Sequence, residues 1–391
     1  MLVRRQPLRR GGGCGVARGR RHPCAQRPLR PPLAAVDAPT IAAVGDGDTG
    51  SAEPQQTPAP STLPERLGVL YRFSRPHTML GTAISVASIS ALALGPGDAT
   101  ARVALRVGAG LAAALLMNVA IVGVNQVYDV EIDKVREQSG WCRGARFSFR
   151  ARSTSLPPST PQVNKPYLPI PAGDLTVPQA VRLSTVAGAA SLAVGAVTRS
   201  PPLLATLAGS LALGLAYSTA HPLLRWKRHP AAAAACILAV RSVAVQGGFF
   251  AHALRAADRA APLALPPPLA FAVCMTAVFG VAIALLKDVP DVAGDAAASV
   301  RTLAVRVGAP SVLRGAAALL GAAYAAAIAF AATRPPSLAR TAAILGHAAA
   351  GAALARAAAR ADGASPASAY AFYMRVWSLF YLEYALVPLM R

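Results

Sequence analysis

Val124-Asn125-Gln126-Val127-Tyr128-Asp129-Val130-Glu131-Ile132-Asp133-Lys134 follows directly on a predominantly apolar run, Val103 to Val124, and decides how the chain is read. That run is long enough to cross a bilayer, which takes about 20 residues. If the helix continues through the quoted stretch, Asn125, Asp129 and Asp133, spaced four apart, share one face. Carboxylates at the end of a membrane span are costly and usually functional. A polar helix end in the headgroup zone is the structural alternative, and a second acidic cluster further along the chain weighs against it.

Composition agrees with a membrane protein. The chain has 391 residues, 54% of them hydrophobic and 14% charged, against about 25% charged in soluble domains. Its formal net charge of +22 does not point to nucleic acid, because it comes with no aromatic-interleaved basic patch and many arginines lie between apolar runs. Basic residues flanking membrane segments account for it more simply. Cys14, Cys24, Cys142, Cys236 and Cys274 form no CxxC pair and no ligand spacing with histidine, so neither a disulfide framework nor a zinc site is expected.

Outward from the motif, apolar runs recur at residues 78–95, 103–124, 178–197, 203–219, 231–250, 265–286, 309–331, 339–358 and 371–389. These predict an all-α membrane protein of about nine transmembrane helices. Lys134, Lys165, Lys227 and Lys287 all fall in connections on one side of such a bundle. Arg102, Arg199, Arg255, Arg259 and Arg334 fall on the other. Residues 1–35 carry nine Arg, no Lys and no acid, which fits an organelle transit peptide apart from its lack of serine. Residues 36–63, rich in Pro, Ala, Gly and Thr, read as a disordered linker. The membrane domain is expected over 64–391.

The second cluster is Lys287-Asp288-Val289-Pro290-Asp291-Val292-Ala293-Gly294-Asp295, directly after the sixth run. Asp291 and Asp295 repeat the four-residue spacing, with Asp288 one turn earlier. Both clusters follow even-numbered spans and so lie on one side. Five Asp and one Asn cannot share a small cavity uncompensated, because like charges repel strongly in a low dielectric. Hard divalent cations resolve this, and Mg²⁺ takes carboxylates, water and phosphate oxygens. A phosphate at the mouth of a greasy bundle implies a lipid-tailed substrate such as a prenyl diphosphate, with Arg75, Lys165 and Lys227 near its outer oxygens. Metal then stabilises the leaving diphosphate as an allylic C–O bond ionises. No Ser-His-Asp set or HExxH motif supports hydrolysis instead.

Phe73-Ser74-Arg75-Pro76-His77-Thr78, Asn125-Gln126-Val127-Tyr128-Asp129, Asn164-Lys165-Pro166-Tyr167-Leu168-Pro169-Ile170, Tyr217-Ser218 and Lys287-Asp288-Val289-Pro290-Asp291 together resemble the UbiA superfamily of intramembrane prenyltransferases, over about residues 70–389. The resemblance implies nine helices around a central cavity and two Asp-rich motifs. It implies that Asn125, Asp129 and Asp133 hold one Mg²⁺ and Asp291 with Asp295, helped by Asp288, the other. Tyr217 and Ser218 match a pair lining the diphosphate and cation region; for Tyr217 an interfacial aromatic is the alternative. Arg75, for phosphate or the acceptor carboxylate, and His77 lie where the first helix enters the cavity. Lys134, Lys165, Lys227 and Lys287 complete the expected substrate contacts. Within the superfamily the chain is similar to plant and algal homogentisate prenyltransferases of plastid membranes, which release CO₂ as homogentisate is prenylated.

Three features lean toward the solanesyltransferase branch of plastoquinone synthesis: Ala172-Gly173-Asp174-Leu175, Arg225-Trp226-Lys227-Arg228-His229-Pro230, and Val376-Trp377-Ser378-Leu379-Phe380-Tyr381-Leu382-Glu383-Tyr384. The phytyl- and geranylgeranyltransferases of tocochromanol synthesis are the alternative. An ion-coupled transporter would instead show inverted repeats and broken helices; no clear inverted repeat is evident, and the acids of the two clusters lie at helix ends. Two departures stand out. Asp295 is followed by Ala296, Ala297 and Ala298 rather than by basic residues. Residues 136–163, with five Arg and a Ser/Thr/Pro-rich end, interrupt a motif that in relatives runs on from Val135 to Asn164. The interruption reads as a disordered loop or as intron sequence carried into the chain. The mature transcript is expected to lack it; a dominant message encoding 136–163 would refute that reading.

Overall fold

The structure, a computed structural model, describes residues 62–134, 168–221, 223–260, 264–292, 296 and 301–391. These fall within one compact unit, Gln55–Arg391. The expected leader, most of the linker, the interruption at 136–163, Lys165 and Asp295 lie outside the described residues.

The described chain is helical and contains no strand. Its elements are α1 (Leu63–Phe73), α2 (Pro76–Ala93), α3 (Ala101–Lys134), α4 (Val177–Val197), α5 (Pro201–Ser218), α6 (Pro230–Leu238), α7 (Val245–Ala256), α8 (Pro267–Leu286), α9 (Leu303–Val307), α10 (Ala309–Ala332), α11 (Leu338–Arg360) and α12 (Pro366–Leu386). A π turn, Ala239–Ala244, joins α6 to α7 without a break. Local sequence sets the starts. Proline stands in the first turn of α2, α4, α5, α6, α8, α10 and α12, where its fixed φ suits the helix and its missing N–H is no loss. Thr62 and Glu65 close a capping box on α1, and Thr176 and Gln179 on α4, satisfying donors that a helix start leaves open.

Among the described residues seven helical stretches are long and apolar enough to cross a membrane: 101–130, 177–197, 201–218, 231–256, 267–286, 309–332 and 338–360. The expected spans at 78–95 and 371–389 correspond to α2 and α12. Those helices form but fall short of the same apolarity, so the count of nine spans reduces to seven on that measure. Serine and threonine dilute α2, and Arg375 and Glu383 dilute α12. The run expected at 103–124 continues as helix through Lys134. The whole first motif is therefore helical, as its spacing predicts.

Packing divides into two large clusters. One gathers α8, α10, α11 and α12 around Phe279, Leu320, Tyr324 and Phe380. The other gathers α2, α3, α5 and α7 around Ile89, Ala113, Leu203 and Phe249. Small residues permit the closest approaches. A Cβ added at Gly123 would strike Ser184 Oγ and come within 2.7 Å of the Phe73 ring, and one at Gly248 would strike Thr206. Several other glycines, among them Gly209 and Gly315, meet nothing. A small third cluster, with Phe73, Val130, Ile170 and Leu175, fixes α1 and the segment before α4 to the end of α3.

At the far end of the bundle arginines meet acids and helix-terminal carbonyls. Arg259 pairs with Asp98 at 2.6 Å, and Asp258 with Arg106 at 2.9 Å and Arg102 at 3.1 Å. The Arg106 hydrogen bond holds the exposed Asp258 carboxyl below its ordinary range. Arg391 and Arg259 donate to carbonyls at the end of α2, and Arg106 to that of Ala256. The arginines between apolar runs thus serve as cations at helix C-termini, where the dipole favours them.

Candidate active site

The last turns of α3 carry the first motif. Gln126 is buried and donates through Nε2 to Phe73 O at 2.8 Å, locking the α1–α2 joint onto α3. Asn118 donates to Thr78 Oγ1 at 3.0 Å, and Thr78 donates to Arg75 O, so the start of α2 is held beside the motif helix. Arg75 sits there in the left-handed region at φ 49. Arg225, before the turn that carries Lys227, has φ 61, and its Nε is buried without a partner. Left-handed non-glycine residues also occur at the opposite end, at Arg199 and Asp258, so backbone strain alone does not mark this end. His77 is exposed in the first turn of α2. Partial burial and then the Arg75 charge hold its imidazole below the ordinary range, which favours the neutral ring.

One residue joins the parts. Lys227, on the 3₁₀ turn Trp226–Arg228, reaches α3 and donates to Asp129 Oδ1 at 2.5 Å and to Asn125 Oδ1 at 3.1 Å. Both side chains of the Lys227–Asp129 pair are mostly buried, 13% and 14% exposed. Ser218, at the end of α5, donates to the same Asn125 oxygen at 3.2 Å. Tyr217, the residue before it, is half-buried. The structure therefore brings Asn125, Asp129, Ser218 and Lys227 together, with Tyr217 next to Ser218 in the chain. Asp133 and Lys134 continue the same helix.

The second motif departs from its expected form. α8 stops at Leu286, and residues 287–291 form turns rather than a continuing helix. Asp288 is therefore not one helical turn before Asp291. Pro290, with no N–H, cannot extend the helix, and Asp291 N instead bonds Asp288 O at 3.3 Å. Buried Val289 anchors the turn, and Lys287, 61% exposed, lies 3.6 Å from Asp288. The turn bearing Lys227 packs on α6, and α6 packs on α8. Among the described residues no point gathers three or more of His, Cys, Asp and Glu. Of the expected metal set, the side chains described are those of Asn125, Asp129, Asp288 and Asp291.

A cation fits at the first motif. Two oxygens, one carboxylate and one amide, already converge on a single ammonium. A carboxylate completed by water and phosphate is the donor set that Mg²⁺ takes. Two cations in this half of the molecule escaped sequence reading. Arg225 carried weight only as part of a segment, and Arg241 lay inside an apolar run.

The UbiA prenyltransferase family model matches residues 81–379. Homogentisate phytyltransferase 1, chloroplastic, of Arabidopsis thaliana is 36% identical over 84% of this chain and 76% of its own length. Homogentisate geranylgeranyltransferase of Triticum aestivum is 37% identical over 83% and 72%. Homogentisate phytyltransferase of Synechocystis is 35% identical over 82% and 94%. A solved structure concerning digeranylgeranylglyceryl phosphate synthase shares the fold at TM-score 0.55 and 13% identity, over 83% of this chain and 98% of that one. A UbiA homologue from Archaeoglobus fulgidus, bound to DMAPP and Mg²⁺, does so at TM-score 0.51 and 17% identity, over 82% and 99%. The chain belongs to the UbiA prenyltransferase family, and its relatives there include the homogentisate prenyltransferases.

Proposed function

We propose that this chain transfers a prenyl group from a prenyl diphosphate to homogentisate, with Mg²⁺ held at Asn125 and Asp129. The observation that carries the reading is the Asn125–Asp129–Lys227–Ser218 constellation, in a chain 36% and 37% identical to homogentisate prenyltransferases. When bound, Mg²⁺ neutralises charge developing on the departing diphosphate. Lys227 supplies a fixed positive charge on the same oxygens, and Arg75 and Arg225 stand at the adjacent helix entrances. Asp133, Asp288, Asp291 and Asp295 complete the proposed metal set, with Lys134, Lys165 and Lys287 at its rim. The ionised C–O bond leaves an allylic cation, which an electron-rich ring carbon beside a hydroxyl attacks. The ring proton lost there balances the proton gained when the acetate arm releases CO₂ and becomes a methyl group. The product is a 2-methyl-6-prenyl-1,4-benzoquinol.

Phytyl or geranylgeranyl diphosphate is the donor of choice, since the named relatives use those groups. Solanesyl diphosphate is the second reading, favoured by three local segments. In two of these the acid has a partner within the fold. Asp174 pairs with Arg72 at 2.7 Å, and Glu383 pairs with His347. That weakens their bearing on tail length. We place the protein in a plastid membrane, with residues 1–63 as transit peptide and linker. Membranes carrying the protein, incubated with homogentisate, Mg²⁺ and labelled phytyl, geranylgeranyl and solanesyl diphosphates, are expected to form product fastest with the first two. A preference for solanesyl would select the second reading, and no product with any donor from folded protein would refute the enzyme assignment.

A further inference from the structure

We propose that Arg241 binds the carboxylate of the aromatic acceptor, and so selects an arylacetate over a neutral phenol. The inference rests on the function proposed above.

Arg241 lies in the π turn Ala239–Ala244, inside the 231–256 membrane stretch. At 1.5 Å per residue it stands about 16 Å along the axis from Pro230. A permanent charge at that depth is expensive and marks a functional position. π turns inside α-helices are likewise frequent at functional sites. The guanidinium lies inside the bundle: its carbon is 5.9 Å from the centroid of Trp377 and 6.0 Å from that of Phe380, and Phe380 is 1% exposed. Cation–π contact with two rings favours the charge there but does not neutralise it.

The surroundings supply no counter-ion. Among the described residues no carboxylate lies within 4.0 Å of Arg241. The π turn packs on α5, α6, α7 and α8, none of which contains an Asp or Glu. On α12, which supplies the two rings, the one acid is Glu383. It faces His347 instead, with Oε1 3.1 Å from Nε2. The five guanidinium donors therefore make no hydrogen bond within the described chain, and their planar fork matches a carboxylate. In the function proposed above Lys227, Arg75 and Arg225 serve the diphosphate, so Arg75 is not the carboxylate's partner there, and a prenyl tail is uncharged. That leaves the acetate arm of the acceptor as the anion in need of a partner. Trp377, 5.9 Å from the guanidinium, with Tyr381 beside it at 6.0 Å between ring centroids, offers aromatic surface for the acceptor ring.

The test compares wild type with Arg241→Met and Arg241→Lys in the prenylation assay. KM is measured separately for homogentisate and for the prenyl diphosphate, and methylhydroquinone, the acceptor without its carboxylate, serves as a competitive inhibitor. Arg241→Met is expected to raise KM for homogentisate about 100-fold, the scale of a buried charge losing its partner. KM for the diphosphate and inhibition by methylhydroquinone should stay at the wild-type values. Arg241→Lys keeps the charge but loses the fork, and should fall between. A homogentisate KM unchanged in both variants of an active enzyme overturns the assignment, as does an equal rise for both substrates in Arg241→Lys. Wild type inactive on homogentisate with every donor refutes the function itself and the assignment with it.

Discussion

Asp129→Ala is expected to lower turnover by at least about 10³-fold, while the protein still inserts and folds. Losing one group aimed at developing transition-state charge costs roughly that factor, and Asp129 serves both the proposed metal and the Lys227 ammonium. Its carboxylate is mostly buried and receives Lys227 at 2.5 Å, so the substitution leaves that ammonium with only the neutral Asn125 oxygen. The bundle itself does not depend on the pair. The end of α3 is held independently by Gln126 on Phe73 O and by the packing of Val130 with Phe73 and Ile170. Turnover and membrane-inserted yield, measured on the same preparation, separate the two roles. Turnover within about tenfold of wild type would remove Asp129 from the metal site.

Much of this was legible because two periodicities are hard to mistake. Apolar runs of span length give the helices, and first-turn prolines fix where several begin. A four-residue repeat of oxygen side chains at the end of one run marked the candidate site, and α3 carries that repeat unbroken. Where helix spacing was extended past a proline, the reading failed: Asp288, Pro290 and Asp291 sit in turns. The direct contact between Asn125 and Lys227 was foreshadowed only by their expected places around one diphosphate on one side of the bundle. Nothing local says that a 3₁₀ turn will bring that ammonium onto α3. Charges within apolar runs were the hardest to see. Arg241 and Glu383 each look like a blemish in a span, and their partners, or the lack of them, lie on helices distant in sequence.

Glu383→Ala is expected to cost about 3–5 kcal/mol of stability, the scale for removing one partner of a buried pair. In detergent that corresponds to an apparent melting temperature lower by roughly 5–10 °C. The hydrogen bonds define the pair's chemistry. His347 Nδ1 is 2.7 Å from Ala343 O, which can only accept, so that nitrogen carries a proton. Nε2 faces Glu383 Oε1 at 3.1 Å, and the two groups share a single proton across that contact, whichever of them holds it. Both side chains are buried within the α8 and α10–α12 cluster, packed by Phe271 and Tyr324. Alanine would leave the ring nitrogen without a partner and open a cavity besides. Glu383→Gln can still bond Nε2 and should lose less than half as much. A double replacement of His347 and Glu383 by leucine should be more stable than Glu383→Leu alone, because no unpaired polar group remains. A double variant no better than the single one would mean that packing, not the shared proton, holds this part of the bundle together. The same variants bear on donor length: if Glu383 serves the fold alone, Glu383→Gln will keep the wild-type order of prenyl donors, and a changed order would give this end of α12 a part in donor choice.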